Sequence, residues 1–289
     1  METAVPWQNF AYLAMAIPSL PLYLAVLFVI ARKRLARKRY TTTFYALLLS
    51  LGLADLFSQA TGTFTNIIRT SNICNSFYWV NRAWIAPMSY NCVTYSISLR
   101  LFGATLIAVQ RYIVVCWSTN TWAEKFTRIP FYHVLWLHWL PPLLYLLPIM
   151  TNFEKTLMGP NDMRLSLSNE LSNQGTFMQN VWVLITFLIS AFCYSKIFLL
   201  IVRHKVIANS GLSKEMRLSI VAFGQAISFA TMFGFYTMCY IMAAIKSPYQ
   251  QDVRPYMTIL TGLISYWNPF VYVFLNGELK NDWFGPIFV

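Results

Sequence analysis

Two charged side chains interrupt runs that are otherwise apolar: Asp55, within Leu-Gly-Leu-Ala-Asp-Leu (51–56), and Arg100, within the run 84–115. An unpaired charge in hydrocarbon costs at least ~2.5–3.5 kcal/mol on insertion scales, so such groups pair and face a protein interior. Arg100 stands eleven residues before Arg111, roughly 16 Å up a helix at 1.5 Å per residue, and Asp55 lies midway along the run 42–66. Opposite charges at similar depth on neighbouring segments predict a pair. Two readings of it stand: a switchable polar centre, or a static salt bridge that fixes packing.

Two further constellations lie near segment ends. Gln110-Arg111-Tyr112 closes the third apolar run, where an arginine can snorkel to the interface or meet a partner. Asn268-Pro269-Phe270-Val271-Tyr272 falls near the end of the last run. A proline there removes a backbone hydrogen bond and makes a flexible joint, and Asn268 and Tyr272 can re-satisfy the freed groups from inside a bundle.

Catalytic and metal chemistry find no support. The five cysteines, Cys74, Cys92, Cys116, Cys193 and Cys239, show no metal-ligand or redox spacing, and His133, His138 and His204 do not cluster with them. No paired carboxylates or Ser/His site suggests an enzyme. No cofactor, metal or catalytic residue is expected.

The elements that must position these residues are membrane spans. The 289 residues are 57% hydrophobic and 11% charged, against roughly 25% charged in soluble domains, and mean hydropathy is +0.50. Seven runs reach the roughly 20 apolar residues a span needs. They lie near 10–31, 42–66, 84–115, 131–151, 178–202, 216–245 and 255–276, and predict one all-α seven-helix bundle over residues 1–289, embedded in a lipid bilayer. The first run has no basic segment before it and six basic residues after it, so it reads as a spanning signal anchor. The longest loop, near 152–177, is polar and too short for a core.

Net charge is +12. Fifteen lysines and arginines fall in the loops after runs 1, 3 and 5, at the run ends that border those loops and in the tail, against six on the other side. Positive residues collect on the cytoplasmic side, so the N-terminus is predicted outside the cell. The charge is a topology signal, and no nucleic-acid partner is needed to explain it.

In order and depth, Leu-Gly-Leu-Ala-Asp-Leu (51–56), Gln-Arg-Tyr (110–112) and Asn-Pro-x-x-Tyr (268–272) resemble rhodopsin-like seven-helix receptors, and the resemblance spans the chain. With Pro-Leu-Tyr (21–23) before a basic first loop, the chain is most similar to nematode chemosensory serpentine receptors, class v or the related gamma class. The resemblance implies coupling to a heterotrimeric G protein through Arg111 and Tyr112, with Asp55, Asn268, Pro269 and Tyr272 in an activation network. It also implies a plasma-membrane location, ciliary in a sensory cell. Departures follow. Gln110 stands where the family carries an acid, so the restraint on Arg111 is weaker or different. No Cys stands at the top of the third run or in the 152–177 loop, so the usual extracellular disulfide is not expected. Arg100 near Asp55 would displace the sodium ion that relatives hold there.

With no outer domain, a ligand must enter the bundle. Met88, Asn91, Cys92 and Tyr95 share one face by i, i+3, i+4, i+7 spacing. Phe233, Tyr236 and Tyr240 in the sixth run, with Thr258 and Gly262 in the seventh, complete a candidate wall. Aromatic walls with few polar groups suit a small, mostly apolar or neutral ligand, although any of these residues could be ordinary core. No acid lies at this level, which disfavours a cationic amine. Ala222, Ala226, Ala230 and Gly234 recur every four residues, a spacing that allows close helix contact either inside the bundle or in a dimer through the sixth helix.

A receptor is the first reading. A seven-helix transporter or ligand-gated channel is the alternative, opposed by the lack of a second intramembrane carboxylate and of repeat halves.

Overall fold

Hydrocarbon offers no hydrogen-bond partner to a peptide group, so long apolar runs must satisfy their backbone as helices. The computed structural model describes residues 7–36, 41–71, 73–117, 120–152, 154–208 and 214–247, with positions 249, 253, 256, 259, 260, 262 and 266 beyond them. The helices are α1 (Trp7–Leu35), α2 (Thr43–Gly62), α3 (Asn75–Val80), α4 (Arg82–Cys116), α5 (Thr121–Thr127), α6 (Phe131–Met150), α7 (Asn169–Ala208) and α8 (Lys214–Ala244). Among the described residues, five stretches are long and apolar enough to cross a membrane: Trp7–Leu35, Thr43–Ile68, Arg82–Cys116, Phe131–Met150 and Glu170–Leu200. α8 adds the apolar stretch Phe229–Ala244. The described positions of the seventh run from 253 to 266 are helical.

α2 passes into a π-helix over Thr63–Ile68. Along this stretch the hydroxyls of Thr61, Thr65 and Thr70 bond back to the carbonyls of Phe57, Thr61 and Asn66. Such back-bonding loosens the regular ladder, and a π turn shifts the phase of whatever follows it.

The polar loop near 152–177 holds an antiparallel hairpin, β1 (Lys155–Gly159) and β2 (Asp162–Leu167), with Leu157 opposite Leu165 and Gly159 opposite Asp162. Lys155 and Leu157 turn inward while Thr156 and Met158 are exposed, the period of two that a half-buried strand requires. Leu157 and Met163 pack on Tyr78, Ile85 and Ala86, which gives this short segment the apolar floor that its length alone could not supply. α7 also starts earlier than the hydropathy predicts, because residues 169–177 continue the helix beyond its apolar part.

Between helices, polar side chains do the tying. Trp139 Nε1 donates to Ser50 Oγ at 3.2 Å, and Ser50 Oγ lies 2.7 Å from His138 Nδ1, with His138 Nε2 2.8 Å from the Leu99 carbonyl. A carbonyl can only accept, so Nε2 carries the proton and Nδ1 accepts from the serine. The chain joins α2, α4 and α6 through a fully buried imidazole. α4 and α7 are joined by Gln179, which donates to the Thr94 carbonyl at 3.1 Å, and by Trp182 Nε1 to the Ser98 carbonyl at 3.1 Å. On α8, Ala230 and Gly234 are exposed, and a Cβ at Gly234 would meet nothing within 4 Å. That half of the small-residue stripe does not pack inside the bundle.

A Cβ at Gly103 would come within 2.4 Å of His138 Nε2. Gly103→Ala is therefore expected to cost about 1–3 kcal/mol as an overpacked core site, read as a lower Tm of the detergent-solubilised protein. Gly234→Ala, by contrast, should be neutral or gain about 0.5–1 kcal/mol from helix propensity.

Candidate functional site

Depth concentrates the chemistry at Asp55, which is 0% exposed. Its Oδ1 lies 3.9 Å from an Arg100 guanidinium nitrogen, and its Oδ2 accepts from the Tyr23 hydroxyl at 2.5 Å. Arg100 Nε also donates to the Ser96 carbonyl at 3.4 Å. Tight charge-assisted bonds run to about 2.7–2.9 Å, so the short contact belongs to Tyr23 and the arginine acts as a charge at the edge of contact. At an effective dielectric of about 20 that attraction is worth about 4 kcal/mol. Three helices, α1, α2 and α4, meet at one carboxylate. One turn further along α2, the buried amide of Gln59 makes no hydrogen bond among the described residues.

Beside this centre, Tyr12 of α1 and Tyr266 of the seventh run stack edge-on, centroids 5.3 Å apart. Gly262 faces the same tyrosine: a Cβ there would approach Tyr12 Cδ2 to 2.9 Å. The glycine thus admits the α1 ring rather than opening a cavity.

At the hairpin end, the stripe of Met88, Asn91, Cys92 and Tyr95 is turned from the face expected of it. Tyr95 donates its hydroxyl to the Trp139 carbonyl at 2.9 Å, and Asn91 Nδ2 donates to the Met150 carbonyl at 3.1 Å. Both therefore address α6; Met88 and Cys92 are half-buried. The face of α4 that meets α7 and α8 carries Val93, Ile97, Leu101 and Ala104. A one-residue step turns a helix by about 100°, so a reading from spacing alone could find the stripe without knowing where it points. On α8, Tyr236 and Phe233 pack with that α4 face, and the Tyr240 ring lies 5.8 Å from that of Phe177 on α7. Thr258, Asn268, Pro269 and Tyr272 lie outside the described residues.

The hairpin is fastened by two cations. Lys155 Nζ donates to Asn91 Oδ1 at 2.7 Å and to the Ile149 carbonyl at 2.8 Å, and it lies 4.9 Å from the Tyr90 ring centroid. It thereby satisfies the C-terminal end of α6, where carbonyls are otherwise orphaned. From the α2 side, Arg69 donates to the Met163 carbonyl of β2 and to Asn66 Oδ1. No disulfide joins the described cysteines.

At the opposite end, Arg111 leans on α2. Its guanidinium carbon stands 3.6 Å over the Phe44 ring of α2, a cation–π contact of about 0.5–2 kcal/mol. Gln110 is buried, and its carbonyl oxygen has no hydrogen bond among the described residues. Tyr112 packs between Trp117 and Phe192, at 6.1 and 5.8 Å.

The family model for the serpentine type seven-transmembrane chemoreceptor Srv matches residues 12–287. The chain belongs to this family. Among curated proteins, serpentine receptor class V-1 of Caenorhabditis elegans is 22% identical over 243 residues, which cover 81% of this chain and 75% of that protein. The chain is thus a multi-pass membrane protein of an Srv chemoreceptor family, and the family is one of receptors. Tyr23, Phe44, Arg69, His138 and Lys155 are the residues of this Srv chain that spacing did not single out for the contacts they make. For Lys155 a signal existed: the alternation Lys-Thr-Leu-Met ahead of Gly-Pro-Asn-Asp marks a strand and a turn.

In this Srv chain, removing either partner at the centre strands a buried charge. Asp55→Asn and Arg100→Leu are each expected to cost about 3–5 kcal/mol, seen as lost surface expression. The double variant should recover part of that loss; strict additivity in the double-mutant cycle would show that the two do not interact.

Burial pushes the Lys155 ammonium from its ordinary 10.5 down to about 8. Between these values the unfolded chain binds more protons than the folded one, so stability rises with pH across that window. Relative to Lys155→Gln, the wild-type Tm should therefore climb between about pH 8 and pH 10.5, as the cost of the buried charge is relieved. A parallel pH dependence of the two proteins would contradict this.

Proposed function

We propose that the chain is a chemosensory receptor of the plasma membrane, ciliary in a sensory cell, with its N-terminus outside. On this reading a small, mostly apolar ligand binds within a single seven-helix domain spanning residues 1–289, and a heterotrimeric G protein is activated at the cytoplasmic end. The family match over residues 12–287 carries the reading, and the excess of basic residues at the Arg111 end supports the orientation. The ligand would occupy the hairpin end of the bundle, its apolar part along Phe233, Tyr236 and Tyr240 of α8 with Thr258 of the seventh run, and Asn91 would meet it from the α6 side of α4. Asp55, Arg100, Asn268, Pro269 and Tyr272 would carry the change to Gln110, Arg111 and Tyr112. A second copy meeting the exposed Ala230 and Gly234 of α8 would account for that face.

The contact of Arg111 with Phe44 gives the mechanism its latch. An arginine stacked on α2 must leave that ring before it can reach into a partner. Gln110 is neutral and cannot hold Arg111 by an ion pair as an acid would, so the aromatic face carries part of the restraint; a neutral hydrogen bond would contribute only about 0.5–1.5 kcal/mol against about 1.5–3 with a charged group. A shift of about 1.4 kcal/mol changes a two-state population tenfold. Arg111→Ala should abolish nucleotide exchange on a co-expressed G protein while surface expression holds. Phe44→Leu should raise basal exchange several-fold, and Gln110→Glu should lower it. Normal exchange by Arg111→Ala would remove the motif from the mechanism.

A further inference from the structure

Among the described residues, the hairpin seats a full positive charge against neutral partners only. Lys155 is 2% exposed, and an ammonium has three donors. Two are taken by Asn91 Oδ1 and the Ile149 carbonyl, and the remaining flank is the face of Tyr90. The nearby acids are engaged elsewhere or face outward. Asp162 holds Arg164 at 2.6 Å, Glu170 takes the Gln174 amide at 3.4 Å, and Glu154, next in sequence, is exposed. Among the described residues none forms an ion pair with Lys155. The C-terminal end of α6 supplies only about half a negative charge, and a buried cation is poorly compensated by neutral acceptors.

Tyr90 extends this site into the bundle. A Cβ at Gly175 of α7 would lie 2.1 Å from the Tyr90 hydroxyl, so the ring spans the gap from Lys155 to α7 with its oxygen against backbone. Tyr236 of α8 is close enough to Tyr90 to interact with it electrostatically.

We propose that Lys155, with Asn91 and Tyr90, is the anion-recognising end of the ligand site, and that the ligand is a small, mostly apolar molecule ending in a carboxylate. This rests on the receptor reading above and deepens it. A carboxylate replaces a neutral acceptor with a full counter-charge, and bonds to ionised acceptors are about twice as strong as neutral ones. The apolar body lies along Phe233, Tyr236 and Tyr240, whose rings supply area and little polarity. An amine of the same length meets repulsion at Lys155, and an ester offers no charge to pair.

The test uses the full chain in lipid nanodiscs, with sodium decanoate, methyl decanoate and decylamine as probes and Tm as readout. Near neutral pH, decanoate is expected to raise Tm and the ester and amine are not. Lys155→Gln, which keeps a donor for the Ile149 carbonyl, should weaken the decanoate effect about tenfold or more, and Lys155→Arg should retain it. If Lys155→Gln does not fold, the wild type alone decides: the decanoate shift should vanish once the medium is alkaline enough, about pH 10, to neutralise the amine. An equal shift with the ester, a shift that survives Lys155→Gln or alkaline pH, or no shift with decanoate overturns the proposal. The receptor reading fails separately. Arg111-dependent basal nucleotide exchange without a decanoate effect refutes only the carboxylate. A Lys155-dependent decanoate shift without any G-protein response supports the site and refutes the coupling.

Discussion

A carboxylate in the middle of a bilayer has no water to turn to, and Asp55 is wholly enclosed. Its compensation must come from other helices, which obliges α1 to bring Tyr23 and α4 to bring Arg100 to one point. Much of the remaining arrangement follows from that meeting. α4 must run at the centre with its charged residue toward α2, so its neighbouring faces are left to pack on α6 and on α7 with α8. The tie through Ser50, His138 and Leu99 sits close to the same level and holds the third side of the α4 axis. Apolar contact supplies little directional preference between helices in lipid, where hydrocarbon tails are as apolar as leucine. Orientation therefore falls to polar groups whose alternative is to be unsatisfied, although model systems place each such bond at only about 0.6–2 kcal/mol.

The hairpin end solves a different problem with similar means. A short two-stranded ribbon is marginal alone in water, yet this one must hold a fixed position over the helices. Leu157 and Met163 give it an apolar footing, and two cations fasten it: Lys155 of β1 reaches into the end of α6, and Arg69, just past the π-helix that follows α2, reaches into β2. A covalent staple would be indifferent to proton activity. A fastening built on a buried amine is not, and the position of this ribbon over the bundle is thereby tied to the chemistry of the surrounding fluid.

Composition and run length made the helical bundle legible in the sequence, because burial in lipid imposes long apolar stretches that nothing else in a chain requires. The equal depth of Asp55 and Arg100 was legible too, since rise per residue is fixed. Rotation about each helix axis was not. Asn91 and Tyr95 do share a face, but only the neighbouring helices decide that this face meets α6. The hairpin was hidden by its polarity: half its residues face out, and the loop reads as coil unless the alternation from Lys155 to Met158 is noticed. Phe44 beneath Arg111 had no local signal at all, because the contact joins residues far apart in the chain.

The close seat of Tyr90 against Gly175 constrains how such a chain can drift. Any side chain at position 175 would collide with the tyrosine oxygen at 2.1 Å, while the ring carbon behind it stands at 3.4 Å, an ordinary contact. A methyl at 175 is compatible with phenylalanine at 90, and with tyrosine it forces the hydroxyl end of that side chain to shift. In descendants of this sequence the less costly order of change is first the hydroxyl and then the glycine, so that a history of substitutions at one position should be readable from the residue found at the other.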